Sequence, residues 1–288
     1  MTGTSSRGAD LAVIGAAGKT GTSVVGALTG LADVRPVVRT ARRPGDVAVD
    51  LDTGAGLDRA LQGCRGVYVI APNVHPDEPG LVRRVLAAAA SAGVEHVVYH
   101  SVAWPCTPAM PHHVDKARCE DELRTFGDLR WTILQPCAYA ENFSAVLTGE
   151  ADEVDVPYNP GSPFSFVSLN DIAQAAARVL VDGGDAHHGA TYELGGPEAL
   201  SVRQLCARAA AARSRPVSVR QISVDEWKAR HGAAMPDDAV ARLAAMFDFY
   251  DKHGFLASSA HLEHLLGRSP ASVDDLCRAA ATRSSGGP

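Results

Sequence analysis

The chain is short of lysine. Only Lys19, Lys116, Lys228 and Lys252 occur in its 288 residues, so arginine carries nearly all of the positive charge. There is no basic excess either: the net charge is −6 and the pI is near 6.0. That balance argues against a nucleic-acid partner, which calls for a basic face. No apolar run approaches the ~20 residues that span a bilayer, so no membrane partner is expected. The stretch Met1–Asp10 lacks the apolar core of a signal peptide and reads as a short disordered lead-in, as does Ser284–Pro288 at the other end. Six scattered cysteines include no C-x-x-C pair, and without a secretion signal free thiols are expected. The neighbouring histidines His112 and His113, His187 and His188, and His261 and His264 have no third ligand at a zinc spacing, so no metal is expected. The protein is expected to be cytoplasmic, a monomer or homodimer, and to act on a small-molecule substrate.

What is present is an ordinary globular balance, 46% hydrophobic and 21% charged, in a chain long enough for one large domain or two unequal ones. Leu11 to Ala16 is a continuous apolar run, the signature of a strand buried on both faces of a parallel sheet. Further strands are predicted at 34–38, 47–49, 66–70, 94–100 and 131–134. Helices are predicted between them, at 57–61, 81–92 and 111–126 among others. Regular alternation of this kind means βαβ units and a parallel sheet covered by helices on both sides. After Pro136 the rhythm changes. Glu150 to Pro163 reads as a crossing loop, and capping boxes are predicted at Ser168/Asp171, Ser201/Gln204 and Ser223/Glu226.

Gly15-Ala-Ala-Gly18-Lys19-Thr20-Gly21 stands between the first strand and an amphipathic helix. In that context one glycine makes the tight turn, one lets the backbone approach a pyrophosphate, and one lets helix and strand pack closely. The helix N-terminus adds N–H donors and partial positive charge for phosphates. The fold class expected is therefore α/β: a doubly wound parallel Rossmann sheet, with a smaller α/β C-terminal substrate-binding region. The expected division is 9–155 for nucleotide binding, with 164–183 packing back on it, and 156–288 for substrate. The second strand ends in Val38-Arg39-Thr40-Ala41-Arg42-Arg43, with no acid to take a ribose 2′-hydroxyl. Guanidiniums there suit a 2′-phosphate, so the expected cofactor is NADP(H), held by Arg39 and Arg42.

The glycine spacing, Arg39, Val49-Asp50-Leu51, His96-Val-Val-Tyr-His-Ser101, Trp131-Thr-Ile-Leu-Gln-Pro136, Asn142-Phe143 and Asn170-Asp171-Ile172-Ala173 together resemble the NmrA-like branch of the atypical short-chain dehydrogenases. The likeness runs from about Leu11 to the Leu266–Pro270 stretch. It implies that Asp50 and Leu51 lie near the adenine, and that Ala71, Pro72, Asn73 and Pro136 lie beside the cofactor. It places Ser101 where such enzymes carry a catalytic serine, and Lys116 where the lysine of Y-x-x-x-K holds the nicotinamide ribose. That tyrosine is missing. His112 stands in its position, one helical turn before Lys116 on the same face, and an imidazole can act as general acid or base near neutrality. His112 could equally do no more than line the pocket. Trp104, His113, Tyr139, Asn142 and Phe143 complete the expected pocket, whose character suits a flat aromatic or otherwise hydrophobic molecule. The expected activity is NADPH-dependent reduction of a carbonyl, quinone or activated double bond. A non-catalytic NADP(H) sensor, or a cyclase or dehydratase on the same scaffold, stays open.

Overall fold

Leu11–Ile14 (β1) is buried at every residue, as its unbroken apolar run requires. Each such Leu, Val or Ile contributes about 1.5–3 kcal/mol when removed from water. A computed structural model of the protein describes residues 10–285. The lead-in Met1–Ala9, the expected domain start at residue 9 and the last three residues of the C-terminal tail lie outside the described residues. Lys19–Leu28 (α1) follows β1 and buries Gly21, Val24 and Leu28, positions three, four and seven apart that share a face. The chain continues through Val34–Val38 (β2), Val47–Ala48 (β3), Leu57–Leu61 (α2), Gly66–Val69 (β4), Glu78–Ser91 (α3), His96–His100 (β5), Pro111–Thr125 (α4) and Arg130–Pro136 (β6).

Among the described residues a seven-stranded sheet has the order β3-β2-β1-β4-β5-β6, closed at its edge by the strand Ala190–Leu194. The pairings from β3 through to β6 are parallel. The winding reverses between β1 and β4, and such a reversal opens a crevice at the carboxyl ends of those strands.

The chain divides into two compact units that interleave in sequence instead of meeting at residue 155. The first comprises the stretch ending at Ser101, Asp115–Leu134 and Ala173–Tyr192. The second comprises Val102–Val114, Gln135–Ile172 and the stretch from Glu193 onward. Of the segment expected to pack back on the first unit, only the part from Ala173 belongs to it. The second unit gathers much of the chain's scarce aromatic content: Phe164 stacks on Phe166 at 5.2 Å, and Tyr250 on Phe255 at 5.3 Å.

Three local readings are corrected. The supposed crossing loop contains a strand, Glu153–Val156, which pairs in parallel with Ser218–Gln221 some sixty residues on. The capping box at Ser201/Gln204 is present, but the one at Ser168/Asp171 is not. Asp171 instead accepts from Arg268 at 2.6 Å and from the Ala271 N–H at 2.6 Å, while Glu141 takes the Leu169 N–H. The final helix runs on to Ser285, through residues that read as tail. Among the described residues no helix is long and apolar enough to cross a membrane.

Candidate functional site

The three glycines of the first turn have three different reasons to be glycine. Gly15 has φ of +81°, and a Cβ there would lie 2.8 Å from the Ile70 carbonyl oxygen. Gly21 lies against the turn itself, where a Cβ would come within 2.1 Å of the Gly15 oxygen. A Cβ on Gly18 would meet nothing nearer than that same oxygen at 3.3 Å. Gly15 and Gly21 are therefore demanded by the fold, whereas at Gly18 a Cβ would meet only one tight contact, and its bare backbone can be approached from the cleft. Gly18 is also the N-cap of α1. Among the described residues no side chain caps this helix, and no acid occupies its first turn. Its N–H dipoles are directed at the crevice without a carboxylate to oppose an anion.

A cleft of about 670 Å³ opens over this turn. The structure brings together in its walls Gly15, Gly18, Lys19, Thr20, Gly21, Arg39, Asp50, Leu51, Ala71, Pro72 and Asn73. Its apolar sides come from Ile14, Val38, Val49, Ile70 and Leu81. A second recess of about 600 Å³ shares Ala17, Val38 and Arg39 with the cleft and adds Arg42, Arg43 and Thr40. Arg39 thus faces both spaces. The Arg42–Arg43 turn is held by Asp46, whose carboxylate accepts both backbone N–H groups at 2.9 Å. Those bonds hold the Asp46 carboxyl below its usual range. Asp46 was not among the expected site residues. An acid three and four residues after the donors is the signal that could have found it. Asp50 likewise folds its own loop, accepting from the Asp52 N–H at 2.9 Å.

Pro136 does not line the cleft. It is buried at the end of β6, where its carbonyl accepts from the Ala103 N–H at 3.0 Å. Ser101 is a larger correction. It is 2% exposed, and its hydroxyl donates to the equally buried Glu120 at 2.5 Å. Glu120 in turn accepts from Arg124 at 2.9 Å. A serine has one proton to donate, and here Ser101 uses it to tie the end of β5 to α4. Phe143 and His113 are also core. Phe143 packs edge-on against Phe166 at 5.5 Å, and His113, 1% exposed, donates from Nδ1 to the Trp104 carbonyl at 3.2 Å.

Trp104 is different. It is half-buried, with φ of +54°, a conformation that is an outlier for a bulky residue. Its ring is set edge-on to Phe249 at 6.1 Å and Phe255 at 5.4 Å, two aromatics that sequence reading missed because they lie some 150 residues away. Asn142 is exposed and Tyr139 half-buried in the same unit. His112 and Lys116 lie one turn apart in α4, both half-buried, and the His112 ring meets His113 edge-on at 4.7 Å. Lys116 donates to Glu78 at 2.8 Å. Among the described residues no cluster of His, Cys, Asp and Glu could hold a metal ion.

The model of the NmrA-like family matches residues 8–275. The (4-alkanoyl-5-oxo-2,5-dihydrofuran-3-yl)methyl phosphate reductase of Streptomyces griseus is 33% identical over 74% of this chain and 77% of its own length. The NAD(P)H azoreductase of Xenophilus azovorans is 30% identical over 81% and 86%. Among solved structures, the NADPH-dependent quinone oxidoreductase QOR2 of Escherichia coli, complexed with NADPH, superposes with a TM-score of 0.77. That match covers 95% of this chain and 99% of that one at 24% identity, a likeness of fold.

Proposed function

Because the chain belongs to the NmrA-like family, we propose that it is an NADPH-dependent oxidoreductase that reduces a carbonyl, quinone or activated double bond of a flat, hydrophobic small molecule. The observation that carries this reading is Arg39, shared between the cleft over the glycine turn and the arginine recess beside it. A dinucleotide whose pyrophosphate lies on Gly18 and the start of α1 would have Asp50 and Leu51 near its adenine, and Ala71, Pro72 and Asn73 beside it. Its 2′-phosphate would then meet Arg39 and Arg42, with bidentate, charge-assisted bonds available from each guanidinium. The two relatives named as reductases support the reaction class.

The bound cofactor would supply a hydride, with its electron pair, from the nicotinamide. The chain's own residues have three tasks. Lys116 holds the nicotinamide ribose. His112 delivers the proton that completes reduction of the acceptor. Trp104, kept in its strained conformation by His113 and the two phenylalanines, offers a ring face for a planar acceptor, with Tyr139 and Asn142 as further contacts. The second unit is in this reading the substrate side, and the protein works in the cytoplasm. The reading is tested by following NADPH oxidation with a panel of quinones, azo compounds and aromatic ketones. Binding of NADPH without turnover of any acceptor would leave a sensor instead of an enzyme.

Two binding results follow. NADPH should bind at least ~10-fold more tightly than NADH, about 1.4 kcal/mol, and Arg39→Ala should remove most of that preference. Equal affinities in the unaltered protein would sink the cofactor assignment. Gly18→Val should abolish NADPH binding at a cost of about 1 kcal/mol of stability, whereas Gly21→Ala, forced into the Gly15 carbonyl, should lose about 3 kcal/mol. A folded Gly18→Val protein with normal NADPH affinity would reduce the motif to a turn.

A further inference from the structure

Lys116 sits in a socket that neither its own helix nor the glycine turn provides. Its ammonium donates to Glu78 Oε1 at 2.8 Å, and the same oxygen accepts from the Tyr99 hydroxyl at 2.6 Å. The ammonium also lies 5.5 Å from the centroid of the Tyr99 ring. Glu78 is 3% exposed and Tyr99 is fully buried. Glu78 comes from α3 and Tyr99 from β5, so the Lys116 side chain is held by two elements other than its own helix.

A carboxylate this deeply buried is costly unless its charge and lone pairs are matched, and the match must be held in place. Glu78 has two sources of support. It lies in the first turn of α3, where the helix dipole favours a negative charge. Lys116 supplies the compensating positive charge. Lysine is otherwise a flexible point charge on a four-carbon stem. Here the stem is half-buried and its end is tied. One of the three ammonium donors goes to Glu78, which sets the directions of the other two. The same helix carries Leu81, one turn on, into the wall of the nucleotide cleft. The loop before α3 also lines that cleft, through Asn73 and His75.

We propose that Glu78, backed by Tyr99, is the positioning residue that aims the Lys116 ammonium at the nicotinamide ribose. The inference rests on the NADPH-dependent reading and adds to it a residue outside the expected site. Glu78 makes no contact with cofactor or substrate in this account; it acts through Lys116.

The test is a double-mutant cycle of Glu78→Gln and Lys116→Gln in the full chain, with Tyr99→Phe as a milder probe. NADPH affinity is titrated by the fluorescence of the bound nicotinamide, and the emission at saturation reports the ring's surroundings independently of turnover. Glu78→Gln keeps the volume and an acceptor but loses the charge, and a hydrogen bond to a charged group is worth enough for about a tenfold weakening of NADPH binding. Emission at saturation should change, and kcat should fall about tenfold while KM for a quinone stays within about twofold. In the Lys116→Gln background the same substitution should change affinity by less than about twofold, since the two act as one unit. Tyr99→Phe should shift affinity in the same direction by a smaller factor, and decides the matter should either charge variant fail to fold. Glu78→Gln and Tyr99→Phe proteins with wild-type affinity and emission would overturn the proposal, as would a full effect of Glu78→Gln without Lys116. Failure of the unaltered protein to bind NADPH would overturn the cofactor reading itself, and that arm is read before any variant is made.

Discussion

Lowering the pH from 7 to 5 is expected to cost the folded protein about 4 kcal/mol, through two histidines buried in β5. Burial pushes His96 down to about 4, helped by the nearby charges of His187 and His188. Burial, then the charge of Lys116, pushes His100 down to about 3. The reason is visible at His96. Thr132 donates its only proton to the His187 carbonyl at 2.7 Å, so at 2.8 Å it must accept from His96 Nε2. A second proton would have to sit on Nδ1, which has no hydrogen-bond partner among the described residues. His100 is paired with the Tyr68 hydroxyl at 2.7 Å in an equally closed position.

The sign follows from these depressed values. Above a pH of about 6.5 neither state protonates these histidines, and stability is complete. Below it the unfolded chain takes up two protons that the folded chain refuses. Stability therefore falls by about 2.7 kcal/mol per pH unit down to about pH 4, then by half that rate to about pH 3. The depressed carboxyls Asp46, Asp50, Asp155, Glu122 and Asp275 begin to matter only below their ordinary range, so the window from 7 to 5 isolates the histidines. Urea unfolding at pH 7, 6 and 5 measures the slope, and His96→Gln should remove about half of it. A flat stability from 7 to 5 would show that both imidazoles protonate freely in the folded protein.

The other large effect is expected at His112. If its imidazole transfers the proton, His112→Phe should lower turnover by ~10²–10⁴-fold, the usual worth of general acid–base help, with NADPH affinity little changed. Single-turnover NADPH oxidation measures the loss directly. His112→Tyr would place a phenol one turn before Lys116 and should retain more activity than His112→Phe. An unchanged rate in His112→Phe would mean that the ring only shapes its surroundings, with the proton coming from water.

The glycine turn was legible because each requirement acts within a few residues. Gly15 answers a backbone angle, and Gly21 answers a carbonyl six residues back in the chain. Arg39 was legible for a similar reason, since the residue after β2 is placed by the strand itself. The place of Ser101 after β5 is local and was legible, but what its hydroxyl meets was not: Glu120 arrives from α4. His113 and Phe143 read as pocket residues by position, and packing turned both inward.

The sequence by itself determined the alternation of strands and helices, the glycine turn and the arginines that follow the second strand. Backbone angles, side-chain periodicity and helix ends are decided over short spans, so their signals survive in the linear order. Only the tertiary structure decided the partner of each buried polar group: Glu78 for Lys116, Glu120 for Ser101 and Arg268 for Asp171. A buried charge must be matched by whichever group the fold brings within reach. That neighbour is chosen by the packing of whole elements, nearly a hundred residues apart for Asp171 and Arg268.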